Sequence, residues 1–206
     1  MKKIMLIFLL MIVLTGCSIV RIDTTNIDTI VNVVLSKNNK LYNQIGQGYK
    51  YYLPGGVSYI DSDELNDILY CNGNYFYLYI DAINYYYQTK FDYKENSNLY
   101  YSRKINTSDG FNHSGYLEIE EIGDLYHIEF VYNYAKIESV VEKKDINETI
   151  LNSAYILSTI KYNYNIVELM LNEDYFINKT GKYNDYNTTE ESGKFELKKE
   201  NIMEEG

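Results

Sequence analysis

Asn72-Gly73 stands between two runs of alternating residues, and no other pair in the chain restricts the fold as much. A two-residue type I′ hairpin turn needs positive φ at both central positions, and Asn followed by Gly meets that need with little strain. The run after it, Tyr75-Phe76-Tyr77-Leu78-Tyr79-Ile80, places Phe76, Leu78 and Ile80 on one face of a strand and Tyr75, Tyr77 and Tyr79 on the other. Further period-two segments at 49–53, 57–60, 67–71, 99–105, 116–122, 125–132 and 135–141 read as strands. They are separated by Pro54-Gly55-Gly56, a polar stretch at 61–66, a Gly- and Asn-bearing loop at 107–115 and the compact turn Gly123-Asp124. Consecutive strands joined by short connections predict an antiparallel meander.

The period changes to that of a helix on either side of this sheet. Ile27, Ile30, Val31 and Val34 fall at i, i+3, i+4, i+7, with Thr24 or Thr25 as the expected N-cap. Later, Asp145 and Glu148 have the spacing of a capping pair, and Ile150, Ala154, Leu157, Ile160, Tyr164, Val167 and Leu171 run down one face of a single long helix. The fold class is therefore α+β: an antiparallel meander sheet flanked by an N-terminal helix and a long C-terminal helix.

The first residues have a separate purpose. Lys2 and Lys3 precede an unbroken apolar run from Ile4 to Val13, and small Gly16 precedes Cys17, the layout of a secretory signal. The apolar run is too short to cross a bilayer, which takes about 20 residues. The ending Leu14-Thr15-Gly16-Cys17 resembles the lipobox of bacterial lipoproteins. That resemblance implies cleavage between Gly16 and Cys17, a diacylglyceryl group on the Cys17 thiol, and localisation at the extracytoplasmic face of the cell membrane. The chain then divides into a signal peptide (1–16), a lipidated tether (17–24), one α+β domain (25–180) and a disordered acidic tail (181–206) whose apolar periodicity has ended. The seven residues from Ser18 to Thr24 span at most about 25 Å, so the domain stays near the membrane.

Formal charge is −10, with 29 acidic against 19 basic residues, and the leader takes two lysines away from the remainder. Nucleic acid is a poor partner for such a chain, because phosphate backbones are held by clustered Lys and Arg. The same charge favours solubility and stand-off from an anionic lipid surface. With Cys17 acylated, Cys71 is the one remaining cysteine, so the mature domain has no internal disulfide and rests on its core. Cys71 reads as a small buried apolar residue. The 25 tyrosines come with no tryptophan, in a composition poor in Pro and Arg, which is what an AT-rich genome tends to write.

The order of elements is similar to that of the Mog1/PsbP-like superfamily. The residues that carry this resemblance are Gly48-Tyr-Lys-Tyr-Tyr-Leu-Pro54 at the opening of the sheet and Ile156-Leu-Ser-Thr-Ile-Lys161 in the last helix. It implies an α/β/α sandwich and a non-catalytic binding or assembly role, and it transfers no catalytic residues.

Nothing in the sequence spells out an active site. His113 lies in a loop and His127 in a strand, and neither accompanies a Gly-x-Ser-x-Gly or His-Glu-x-x-His motif. The segment from Asp61 to Asp67 has the carboxylates of a calcium loop, but its sixth and twelfth positions are Asn66 and Asn72 where that loop needs Gly and Glu, and it reads as a solvated turn. Gly46-Gln47-Gly48 and Gly55-Gly56 lack the lysine of a phosphate-binding loop and read as turns. No metal or cofactor is expected. The candidate binding face is Tyr75, Tyr77 and Tyr79, either covered and structural or open to a protein, peptide or glycan of the envelope. A non-enzymatic binding or assembly module is the leading expectation; an envelope hydrolase with an unrecognised site is the alternative.

Overall fold

The computed structural model describes residues 24–63, 65–107 and 113–172. Cys17, Gly16 and the tail 181–206 lie outside them. The elements run α1 (Ile27–Leu35), β1 (Gln44–Ile45), β2 (Tyr49–Tyr51), β3 (Ser58–Asp63), β4 (Asn66–Cys71), β5 (Asn74–Ile80), α2 (Ala82–Tyr86), β6 (Tyr101–Asn106), β7 (Ser114–Ile122), β8 (Leu125–Tyr132) and β9 (Ala135–Glu142). A 3-10 turn (Lys143–Asp145) then leads into α3 (Ile146–Thr159), β10 (Lys161–Tyr162) and α4 (Tyr164–Asn172). The fold is α+β, as the periodicities predict.

A seven-stranded sheet of order β3-β4-β5-β9-β8-β7-β6, antiparallel throughout, carries the structure. Two meanders meet at the β5–β9 seam, where Ile80 pairs with Ala135 and Tyr77 with Glu138. The β4–β5 hairpin turns on Asn72 (φ 48°) and Gly73 (φ 91°), with Cys71 opposite Asn74. Asp145 and Glu148 do not cap α3, whose N-cap has no side-chain hydrogen bond. They accept instead from the hairpin: Asn72 Nδ2 donates to Glu148 Oε1 at 2.8 Å and Asn74 Nδ2 to Asp145 Oδ2 at 3.4 Å. The expected capping pair thus ties α3 to the turn.

One face of the large sheet is aliphatic. Leu69, Phe76, Leu78, Leu117, Ile119, Ile128, Phe130 and Ile137 are sealed from solvent there, together with Ile30, Val31 and Val34 of α1 and Ile150, Ala154 and Leu157 of α3. α1 is capped by Asn26, whose Oδ1 accepts from Thr29 N at 2.9 Å, in place of the expected threonines. Asp28 of α1 accepts from Arg103 and Tyr101 of β6, whose side chains share the face of Leu117 and Ile119. Asn152 of α3 donates to the Cys71 sulfur on that same face. Both α1 and α3 therefore lie on one side, and the layer on each face implied by an α/β/α sandwich is not what these two helices build.

The long C-terminal helix is broken. Its apolar stripe continues through Ile160, but that residue is extended (φ −60°, ψ 129°), and Lys161–Tyr162 pair with β2 as a strand before α4 begins. The competing force is tertiary: β2 offers unpaired backbone groups, and the Thr159 hydroxyl that accepts from Tyr52 N at 2.9 Å also turns back onto the Tyr155 and Ile156 carbonyls. The outcome is a second sheet of order β1-β2-β10 at the C-terminal end of α3.

Candidate functional site

The tyrosine face is not an open platform. Tyr77 and Tyr79 are 5% and 2% exposed, leaving Tyr75 as the half-buried member of the three. Burial raises the Tyr77 phenol to about 12, with Tyr75 adding to it. Strand alternation does bring them together as expected, but the face is filled by a polar network. Lys136 Nζ lies 4.9 Å above the Tyr79 ring and 2.6 Å from Glu138 Oε1, with Glu129 Oε2 at 3.6 Å. Tyr116 donates to Glu129 Oε1 at 2.5 Å, and the Tyr93 ring stacks on Tyr116 with centroids 4.2 Å apart. Tyr93 also donates to Glu118 Oε1 at 2.6 Å, so the chain between α2 and β6 closes over this side of the sheet. Burial pushes the Glu138 carboxyl upward, against the pull of Lys136. These groups satisfy one another.

Asp67 is also not the end of a solvated turn. It is 5% exposed, and its Oδ2 accepts from Tyr49 at 3.0 Å and Tyr51 at 2.8 Å. Desolvation raises its pKa and the two phenols lower it, with a net upward shift, and the same burial drives both phenols up. Chemically the trio is a brace that locks the small sheet to β4. His113 sits with its ring edge-on to Tyr132, centroids 5.6 Å apart, and its carbonyl accepts from Thr107. His127 pairs with Val140 and Glu120 in the sheet. Cys71 is buried, and burial raises its thiol pKa, so it is poorly suited to act as a nucleophile. Among the described residues no group of three or more His, Cys, Asp or Glu side chains is placed to hold a metal ion.

A concave feature with converging polar groups lies on the small sheet, and sequence reading assigned it no role. A cleft of about 370 Å³ is lined by Ile45, Gly46, Gly48, Lys50, Lys161, Tyr162, Asn163, Tyr164 and Ile166, among others. Lys50 and Lys161 are register partners on β2 and β10, so their side chains leave the same face of the sheet at adjacent points. The pKa of Lys161 is held below the ordinary lysine value by burial first, with Lys50 and Lys40 adding repulsion. Lys50 Nζ also sits 4.0 Å from the centroid of the Tyr42 ring. Gly46 and Gly48 also line the cleft. A Cβ on Gly46 would meet the Tyr49 ring at 2.2 Å, and Gly48 has φ 82°, so neither position accepts a larger residue without rearrangement.

Tyr162, one residue beyond Lys161, leaves the opposite face of β10 and is fixed on the core side. The Tyr162 ring stacks on Tyr85 with centroids 4.0 Å apart, and its hydroxyl donates to the carbonyls of Asn133 at 3.0 Å and Tyr134 at 2.6 Å. Those two residues form the β8–β9 turn with φ 54° and 57°, an arrangement that a bulky tyrosine adopts at a cost. The turn is over-determined: the buried Asn133 amide donates to Ile160 O at 2.9 Å, and Asp81 N donates to Tyr134 O at 2.9 Å. Tyr164 at the other end stacks on Tyr86, which donates to Glu168. Charge patterning is the signal that could have found it, because residues 29–60 and 149–167 contain Lys37, Lys40, Lys50 and Lys161 and no Asp or Glu. Compared with known proteins, the chain matches no family model, no curated protein and no solved structure.

Proposed function

We propose that this chain is a lipid-anchored lipoprotein on the extracytoplasmic face of the cell membrane, working as a non-catalytic binding or assembly module of the envelope. The lipobox-like Leu14-Thr15-Gly16-Cys17 supports the anchor. The observation that carries the binding role is the end-to-end layout of the domain. Asn147, at the start of α3, donates to Thr24 O at 2.8 Å, while the cleft lies just beyond Thr159 at the other end of the same helix. A helix of 14 residues is about 21 Å long. A tether leaving Thr24 thus holds one end of the domain toward the membrane and presents the lysine-lined end outward, to ligands or partners in the envelope.

Replacing Cys17 with Ser tests the anchor. The expected result is loss of labelled palmitate incorporation and release from the membrane fraction. Retention of both in the variant would refute it.

A further inference from the structure

Lys50 and Lys161 face each other across β2 and β10, where like charges directly opposite destabilise a sheet. Lys40 is close enough to add to the repulsion on Lys161. On the large sheet like charges also fall opposite one another, Glu118 with Glu129 and Glu129 with Glu138, but there the Lys136 ammonium lies 2.6 Å from Glu138 and 3.6 Å from Glu129. In a chain of 29 acidic and 19 basic residues, residues 29–60 and 149–167 are free of Asp and Glu, and Glu168 of the adjoining α4 accepts from Tyr86. The lysines line a cleft large enough for a small organic ligand, and Tyr164, which also lines it, is already stacked on Tyr86 with ring centroids 5.3 Å apart. Pre-ordered walls reduce the entropy lost on binding.

We infer that this cleft binds a phosphate ester of a sugar or polyol, the phosphate lying between Lys50 and Lys161 and the ring or chain against Tyr164 and the apolar lip of Ile45 and Ile166. Two ammonium groups on one side match a dianionic or bridging phosphate, and each charge-assisted hydrogen bond to it gains strength from the half-buried setting. Asn163 lines the same cleft and suits the hydroxyls of the carrier. The ester is taken as soluble or polymer-borne, not a headgroup of the anchoring bilayer, because the cleft lies at the end of α3 remote from Thr24. This inference rests on the binding-module reading and names its ligand class.

The test is equilibrium titration of the full-length chain in neutral detergent micelles with glucose 1-phosphate, glucose, inorganic phosphate and phosphatidylglycerol vesicles. Saturable binding is expected for glucose 1-phosphate, weaker binding for inorganic phosphate and none for glucose, with affinity falling as salt rises. Lys50→Gln and Lys161→Gln should each weaken glucose 1-phosphate by about tenfold or more. Lys144→Gln, remote from the cleft on the turn before α3, should leave it unchanged. The thermal midpoint of Lys161→Gln should hold or rise, which separates lost binding from lost folding. Absence of saturable glucose 1-phosphate binding, equal affinity in the Lys50 and Lys161 variants, or a preference for the vesicles over the soluble ester would overturn the assignment. Failure here with normal palmitate labelling of Cys17 would remove the ligand and leave the anchored protein in place; failure of labelling with intact titration would do the reverse.

Discussion

Two lysines in this molecule live in opposite circumstances. Lys136, on the large sheet, is 5% exposed and surrounded by Glu138, Glu129 and the face of Tyr79. Lys161, on the small sheet, has Lys50 as its cross-strand neighbour and Lys40 nearby. The large sheet neutralises its buried charge with its own side chains, whereas the small sheet concentrates one sign of charge around a cleft. The large sheet also sets like charges opposite one another, Glu118 with Glu129 and Glu129 with Glu138, but with the Lys136 ammonium beside two of them, whereas the small sheet sets ammonium opposite ammonium.

The contrast is broken most severely by removing the partner from the large sheet. Lys136→Ala leaves the Glu138 carboxylate buried with its main counter-charge gone, and should cost about 3–5 kcal/mol in urea unfolding at neutral pH. The Glu138 pKa is already raised, so protonating it at lower pH should return part of that loss. Tyr79→Ala, which removes the ring beneath the same ammonium, should cost about 3–5 kcal/mol as for other large buried aromatics. If these variants unfold no more easily than the parent, the large sheet does not depend on its internal neutralisation.

Asp67 sharpens the comparison from the acidic side, because it is a buried carboxylate held by two phenols. Its pKa is raised in the folded state, so the stability linked to its neutral form is present in full below the ordinary carboxylate range near 4 and is lost as pH rises through the folded value. An amide keeps the acceptor oxygen without the charge. Asp67→Asn should therefore gain on the parent as pH climbs from about 4 to 7, and urea midpoints that run parallel across that range would contradict it.

The smallest effect has the opposite sign. Lys161→Gln relieves a like-charge cross-strand pair and should stabilise the ligand-free protein by about 0.2–1 kcal/mol, read as a small rise in the urea midpoint that shrinks at high salt. Destabilisation by Lys161→Gln would mean that the small sheet uses this lysine for its own cohesion.

Local signals carried much of the large sheet. Residues 125–132 read as a strand from their period-two pattern and form one with those bounds, and Asn72-Gly73 turns where its backbone preference says it must. The candidate site was far less legible, for physical reasons. Ile160 continues an apolar stripe with no Gly or Pro to stop it, and only the unpaired edge of a strand 110 positions away converts Lys161–Tyr162 from helix to strand. The Asn133–Tyr134 turn carries no glycine, and its left-handed backbone is stabilised by Tyr162, Ile160 and Asp81, none of them adjacent in sequence. Asp67 looked like a surface carboxylate because its partners, Tyr49 and Tyr51, belong to another sheet. Lipidation at Cys17 is read from a short linear motif and owes nothing to the fold.

The strand order has a kinetic consequence. β3 to β5 and β6 to β9 are each strings of neighbours that can zip up through tight turns and short loops, but the two strings join only where Ile80 meets Ala135 and Tyr77 meets Glu138. Most of the sequence separation in the large sheet is therefore spent in closing one seam, and the entropy lost there is recovered only after both meanders have formed. The Lys136, Glu138 and Tyr79 cluster sits on that seam, so a register slip at the moment of joining would strand a buried ammonium away from its carboxylates. Misjoined chains are penalised at the step where they arise, and the slow event in folding is also the one most closely proofread.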